Sequence, residues 1–254
     1  MNLQEVVMIN SIIPIPEIMS ARQILAIQPH YDDNDIGAGG TLALLRESGA
    51  EIHYLTVTDD LIGVLDTNFS PSQAREVLER EQDQAGEIIG VSSQIRLGYP
   101  DAGRYDYFDL RADMLKNMRV IKPDFVFAPD PWLAYESHRD HIQCGLAAAS
   151  AANLVGLPKM ASSDPRVDMD YQPHELIGVV FYYTSEPNTP VEVSAVHEKK
   201  EQAIRCYKAQ FQEEDLEMLL QVIKAKESIY AQSQGMQLAE GLKVMAPIAL
   251  HCGL

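Results

Sequence analysis

"ILAIQPHYDDNDIGAGGT", residues 24–41, runs from an unbroken apolar stretch into a histidine, two adjacent aspartates and a glycine cluster. The segment "QILAIQP" (23–29) is apolar without alternation, which reads as a strand covered on both faces. His30, Asp32 and Asp33 then stand at the end of that strand, where three ionisable groups are expensive to leave unpaired. A solvated turn relieves that cost, and so does a bound cation. The rest of the chain has to decide between them.

Strands and helices alternate from this point on. "GGTLALLRESGA" (39–50) reads as a helix ended by Gly49, and "EIHYLTVT" (51–58) as a second strand. Residues 70–90 form a helix opening at Ser70-Pro71 and closing at Gly90. "SQIRLGYP" (93–100), a helix near 107–121 and "PDFVFAPD" (123–130) continue the pattern. A helix after Ser137, an apolar segment at 175–185 and helical stretches over 196–210 and 213–232 complete it. Such an order predicts a single-domain α/β fold, a mainly parallel sheet flanked by helices, over residues 23–254, with residues 1–22 as an N-terminal extension. Residues 158–173 are the one long irregular stretch, suited to the rim of a site or a surface excursion.

Composition narrows the partners. The 254 residues include 37 acidic and 20 basic side chains, a net charge of −17. That field repels phosphate backbones and anionic lipid, so neither nucleic acid nor a membrane is expected as a partner. Three cysteines, Cys144, Cys206 and Cys252, lie far apart and form no CxxC pair, which fits a reducing compartment. The first twenty residues are apolar but carry Glu5 and Glu17 and are broken by Pro14 and Pro16, unlike a signal peptide. No uncharged stretch reaches bilayer-spanning length. The expected location is the cytoplasm.

In open parallel sheets, ligands sit beyond the carboxyl ends of the strands. His30, Asp32 and Asp33, then Asp59 and Asp60, Asp101, and Asp130 with His138 and His141 all follow predicted strand ends. Imidazole and carboxylate suit a divalent cation, and a catalytic zinc site keeps one position open. His30 and Asp33 on one turn offer two ligands. "YESHRDH" (135–141) offers His138 and His141, one to complete a triad and one free for chemistry. Ser137 with Asp140 makes a capping-box pattern that would place both histidines on the first turn of a helix. Asp32, beside a ligand but not needed as one, is placed to take a proton from metal-bound water.

The plainer readings are an acidic turn at Asp32–Asp35 and a surface HxxH pair, both common. They do not explain why H-x-D-D after one strand is matched by H-x-D-H after another. A dinucleotide fingerprint in "GAGG" (37–40) fails because Leu42 stands where its last glycine is required. Cys144, three residues after His141, reads as a small buried apolar residue rather than a ligand.

"QPHYDDNDIGAGGTL" together with "YESHRDH" resembles the LmbE-like (PIG-L) family of zinc-dependent N-acetylglucosaminyl deacetylases, whose motifs are usually P/A-H-P-D-D and H-P-D-H. The likeness runs from about residue 23 to 251. Within the family, "FAPDPWLAYESHRDH" (127–141), "FYYTSEP" (181–187) and "KEQAIRCYKAQF" (200–211) look most like the diacetylchitobiose deacetylases. The resemblance implies a Rossmann-like fold and hydrolysis of the N-acetyl group of an N-acetylglucosamine-containing small saccharide, releasing acetate. It also implies one Zn2+ per chain, or another divalent metal, and a homo-oligomer, trimer or hexamer.

Carried over by position, His30, Asp33 and His141 match the zinc ligands and Asp32 the general base. His138, tuned by Asp140, matches the group that stabilises the oxyanion or protonates the leaving amine, and Asp101 a carboxylate that holds sugar hydroxyls. Tyr31 and Arg139 replace the prolines of the two motifs. Leu78 stands where a substrate-binding arginine is usual, with Arg75 or Arg80 as substitutes, and Asp60 where glycine is common. Arg139 adds a cation near the site that would favour an anion. Trp132 reads either as a stacking partner for a pyranose or as an ordinary packing residue, and His251 either as the match of a C-terminal histidine that oligomer packing brings near an active site or as a plain tail residue. Two alternatives stay open: a deacetylase of an N-acetylglucosaminyl conjugate in a thiol or antibiotic pathway, and a non-catalytic metal-dependent sugar-binding module. An unliganded Asp32 speaks against the module.

Overall fold

The apolar run that opens the pattern folds as strand β1 (Gln23–Gln28), buried at its last five positions. A computed structural model describes residues 11–232 and 234–251. In it, β1 pairs in parallel with β2 (Glu51–Thr58) on one side and β4 (Phe125–Pro129) on the other. With β3 (Ser93–Tyr99), β5 (Gly178–Tyr182), β6 (Thr189–Glu192) and β7 (Ala239–Met245), these form a seven-stranded sheet of order β3-β2-β1-β4-β5-β7-β6. The first five strands run parallel, and β7 lies antiparallel between β5 and β6.

Strand periodicity sends alternate residues to opposite faces, so each face gathers its own core. Ile24, Ala26, Phe127 and Tyr182 pack with residues of α1 (Asp33–Glu47), α2 (Pro71–Ile89) and α6 (His197–Ile204). Leu25, Ile27, Val126 and Phe181 pack with α3 (Tyr107–Ile121) and α4 (Arg139–Leu154). The single-domain α/β fold with helices on both faces is the one expected. Ile18 and Ala21, ahead of β1, are also buried in the first core, and residues 1–10 lie outside the described residues. Among the described residues no helix is long and apolar enough to cross a membrane.

Several boundaries differ from expectation, each for a physical reason. Helix α1 starts at Asp33 rather than near residue 39, so the glycine cluster lies inside it. A side chain at Gly37 would collide with the Tyr182 ring and one at Gly40 with Val193, so these positions let the helix lie close on the sheet. Helix α2 carries the full capping box at Ser70 and Gln73 and ends on Gly90 at φ 92°. Helix α6 stops at Ile204 instead of running to 210, which frees the following residues to fold back toward the sheet edge. A short helix α5 (Pro165–Met169), capped by Asp164, occupies the stretch expected to be irregular. Strands β6 and β7 carried too weak a pattern to be foreseen. The last long helix, α7 (Glu213–Gln232), matches its predicted span.

A buried ionic knot ties α1, α6, α7 and β7 together. Lys200 Nζ donates to Glu227 (2.8 Å) and Glu240 (2.6 Å), and Glu240 also accepts the Gly40 and Thr41 amides of α1.

Candidate metal centre

The turn after β1 is shaped by its own acids. The His30 amide donates to Asp33 Oδ2 at 3.0 Å, and the His30 ring nitrogen Nδ1 lies 3.1 Å from the same oxygen. The Asn34 amide donates to the Gln28 side chain (2.8 Å), which pins the first turn of α1 to the end of β1. The second motif arrives over β4. Glu136 Oε1 accepts the His138 amide at 2.7 Å, and α4 begins at the next residue. The expected Ser137–Asp140 capping box does not form: His138 is the N-cap, without a side-chain capping bond. Asp140 turns instead to the Ala102 amide (2.8 Å) and the Tyr105 hydroxyl (2.7 Å) behind β3. His138 therefore lies outside the helix, yet its ring still meets the other two.

Ring centroids stand 4.6 Å apart for His30–His138, 5.3 Å for His30–His141 and 5.2 Å for His138–His141. Asp33 bridges two of them, with Oδ2 3.1 Å from His30 Nδ1 and Oδ1 3.5 Å from His141 Nε2. Two ligands each ~2.0–2.2 Å from a tetrahedral ion stand about 3.4 Å apart, so this spacing fits a common cation. The far nitrogens add a second fit. His30 Nε2 faces Asp101 Oδ1 (3.4 Å) and Asp140 Oδ2 (3.7 Å), and His141 Nδ1 faces Glu136 Oε2 (3.4 Å). Both of these buried nitrogens lack a hydrogen bond. An imidazole with one nitrogen toward the ion and the other toward a carboxylate is the arrangement that orients metal-binding histidines.

Among the described residues a second donor group shares His30 and adds Asp101, His138 and Asp140. Its carboxylates are already engaged, Asp140 as above and Asp101 Oδ2 by the Ile62 amide at 3.0 Å. The His30–Asp33–His141 set is the one that the resemblance implied, and Asp32 belongs to neither group.

Charge distribution agrees. Burial opposes ionisation of Asp33, yet His141 and His30 hold its carboxyl down to about 2. Burial likewise opposes a charge on His30, but Asp101, Asp140 and Asp33 hold its imidazolium far above the usual range. Carboxylates thus surround the two imidazoles. Asp32 behaves oppositely: burial, with Asp33 and Asp60 nearby, pushes its carboxyl well above the ordinary range. Raised proton affinity on an acid beside a cation site suits a group that takes up and returns a proton. Burial, with His30 and His141 adjacent, lowers His138, which is therefore neutral near pH 7.

The remaining expected residues form an outer ring. The Asp101 amide donates to Asp59 Oδ1 (3.1 Å), and Arg75 reaches Asp59 Oδ2 at 3.4 Å, so Arg75 joins the rim through an acid. Leu78 is wholly buried in the core. Arg139 and Arg80 are exposed. Trp132, 59% exposed, stands edge-on to Phe181 at 5.6 Å beside a cleft of about 320 Å³ that Asp130, Thr184, Glu186 and Lys243 also line. His251 is exposed behind the turn Pro247–Leu250 and outside both donor groups. Cys144, on α4, is buried as expected; Cys252 lies outside the described residues.

Two residues escaped the sequence reading. Glu136 sits inside the quoted motif, and a carboxylate so close to two candidate ligands was the available signal. Tyr183, at φ 56°, stacks on His141 at 5.9 Å and 11° and donates its hydroxyl to the Asp33 carbonyl at 3.3 Å. Its only signal was its place just beyond β5.

The family model described as PIG-L: GlcNAc-PI de-N-acetylase matches residues 25–152, a span that carries both motifs. The chain belongs to this family. A diacetylchitobiose deacetylase of Thermococcus kodakarensis is 34% identical over 230 residues, 91% of this chain and 85% of that protein. The solved structure of an N,N'-diacetylchitobiose deacetylase from Pyrococcus horikoshii, in complex with its inhibitor MPG, superposes with a TM-score of 0.86 at 29% identity, covering 99% of this chain and 96% of that one. A 1D-myo-inositol 2-acetamido-2-deoxy-alpha-D-glucopyranoside deacetylase of Streptomyces griseus is 26% identical over 58% of this chain and 53% of its own length. In this PIG-L family chain both motifs thus come together in one place, as the likeness implied.

Proposed function

We propose that this protein removes the N-acetyl group from an N-acetylglucosamine unit of a small saccharide of the chitobiose kind, releasing acetate and a free amine. The observation that carries this reading is the pair of imidazoles bracketed by carboxylates around Asp33, with the buried Asp32 next to them and outside the donor set. The chain's likeness to two diacetylchitobiose deacetylases supports the substrate. His30, Asp33 and His141 would hold one divalent cation, zinc in the first place. When bound, such an ion polarises the amide carbonyl and makes water more acidic.

The chain's own residues do the rest. Asp32 takes the proton of the attacking water and keeps it available for the leaving nitrogen. His138 faces the reacting carbonyl and stabilises the developing oxyanion or relays the proton to the amine. Asp140, held by Ala102 and Tyr105 and 3.9 Å from His138 Nδ1, orients that imidazole. The C–N bond breaks, the acetyl carbon keeps the water oxygen, and the amine leaves with the proton. Asp101, Arg75 and Arg139 bind hydroxyls at the rim, and Trp132 stacks on a sugar face beside the cleft. We assign the protein to the cytoplasm as a homo-oligomer, trimer or hexamer, in which the exposed His251 reaches toward a neighbouring copy's site.

The test is acetate release from a panel: N,N'-diacetylchitobiose, N-acetylglucosamine, and the N-acetylglucosaminyl conjugates of inositol and malate, with metal content measured on the same preparation. Diacetylchitobiose is expected to lead. Preference for a conjugate would support the second reading, a deacetylase of an N-acetylglucosaminyl conjugate. No acetate from any of them with metal bound would overturn both and leave a binding module.

A further inference from the structure

The peptide of Tyr31, between His30 and Asp32, is gripped on both sides by residues that the chemistry above does not use. Its N–H donates to Asp60 Oδ2 at 3.0 Å. Its carbonyl accepts from the Tyr207 hydroxyl (2.9 Å), Gln28 Nε2 (3.2 Å) and Gln82 Nε2 (3.4 Å). Asp60 is braced in turn by Gln210 Nε2 at 2.8 Å on the same oxygen. Tyr207 and Gln210 reach the loop because α6 ends at Ile204 and the chain folds back.

Asp60 is 2% exposed and sits at φ 53°, a conformation that glycine adopts freely and an aspartate adopts at a cost. A buried acid held in such a backbone points to a task for its side chain. Tyr31 and Asp60, both singled out in the sequence, meet in this one hydrogen bond. A proline at 31 would fix φ and carry no N–H. A tyrosine supplies the N–H and leaves φ to be fixed by something else.

We infer that Asp60 is a positioning residue: its hydrogen bond to the Tyr31 amide, braced by Gln210, locks the loop between His30 and Asp33 and so aims those two side chains at the cation. This rests on the metal reading of the site and not on the identity of the sugar. Asp60→Gly is the cleanest probe, because glycine is at ease at this φ and only the carboxylate is lost. In the metal-free protein, hydrogen–deuterium exchange of the segment 28–36 is expected to accelerate. Zinc affinity, read by competition with a chelator, is expected to weaken about tenfold and kcat to fall about tenfold with KM little changed. Asp60→Asn, whose amide oxygen accepts the same two N–H groups, is expected to recover most of each loss.

Tyr31→Pro supplies the cross-check. It should cost less in the Asp60→Gly background than in the native one, because the N–H it deletes no longer has an acceptor. Native exchange and zinc affinity in Asp60→Gly would overturn the proposal. So would an Asp60→Asn variant as impaired as Asp60→Gly, or effects of Tyr31→Pro and Asp60→Gly that simply multiply. Should Asp60→Gly fail to fold, Asp60→Asn and Gln210→Met decide, the latter with a smaller change in the same direction. Exchange and zinc affinity are read without substrate, so a wrong sugar assignment leaves this test intact.

Discussion

Asp32 and Asp33 are neighbours in sequence with opposite proton affinities. Asp33 sits between two imidazoles that hold it ionised, whereas for Asp32 burial, Asp33 and Asp60 outweigh the pull of the nearby His30. That split is what the proposed division into a ligand and a base requires. Asp32→Asn is therefore expected to keep its metal, measured by elemental analysis, while acetate release falls ~10²–10⁴-fold; undiminished turnover would remove Asp32 from the chemistry. Behind the loop, Asp35 is wholly buried and accepts from Tyr54 (2.7 Å) and Tyr207 (2.5 Å). Burial outweighs these donors and raises its carboxyl to about 6. Because the folded state binds this proton more tightly than the unfolded chain, whose aspartates titrate near ~3.9, the contribution is present below about pH 4 and lost as pH rises through about 6. In thermal unfolding, the Tm of Asp35→Asn relative to the native protein should thus climb between those pH values and level off above them. A pH-independent difference would show that Asp35 is ionised throughout.

Helix α4 has to lie close on the sheet for His141 to reach Asp33. A Cβ at Gly145 would strike the Pro129 carbonyl oxygen, a backbone atom that cannot step aside. Gly145→Ala is expected to cost about 1–3 kcal/mol in urea unfolding and to weaken zinc binding, since α4 carries His141. The Lys200 knot works at the same scale on the other face. Lys200→Met would leave Glu227 and Glu240 buried without their counter-charge, and a loss of ~3–5 kcal/mol is expected in the same measurement. A variant as stable as the native protein would mean that both acids are protonated.

Element boundaries were legible where local rules decide them. Strand β2, helix α3 and helix α7 lie where the pattern placed them, and helix α2 opens at Ser70-Pro71 and closes at Gly90 as read. They were illegible where tertiary contact overrides propensity. The glycines inside α1 answer to Tyr182 and Val193, residues remote in sequence, and β7 exists because β5 and β6 offer it edges.

For the whole molecule, the sheet explains why five segments without local relation meet. Parallel strands β1 to β5 end at one edge, so the residue after each strand is carried there whatever its neighbours are. The two candidate motifs were readable for that reason, and the parallel α/β order told where they would go. Tyr183 and the grip on Tyr31 were not readable, because they depend on side-chain directions that only packing fixes, whereas Glu136 left a signal inside its motif. A cation that binds the folded chain alone also stabilises it, by about 2.7 kcal/mol when its concentration is a hundred times its Kd. Chelation is therefore expected to lower Tm and zinc to restore it, with no such response in His141→Ala. The most direct measurement is anomalous diffraction at the zinc edge from crystals grown with zinc. One strong peak per chain is expected, bonded to His30, Asp33 and His141 at about 2.0–2.2 Å, with Asp32 beside it and unbound. A peak lodged instead among His30, Asp101, His138 and Asp140, or one with Asp32 as a ligand, would contradict it.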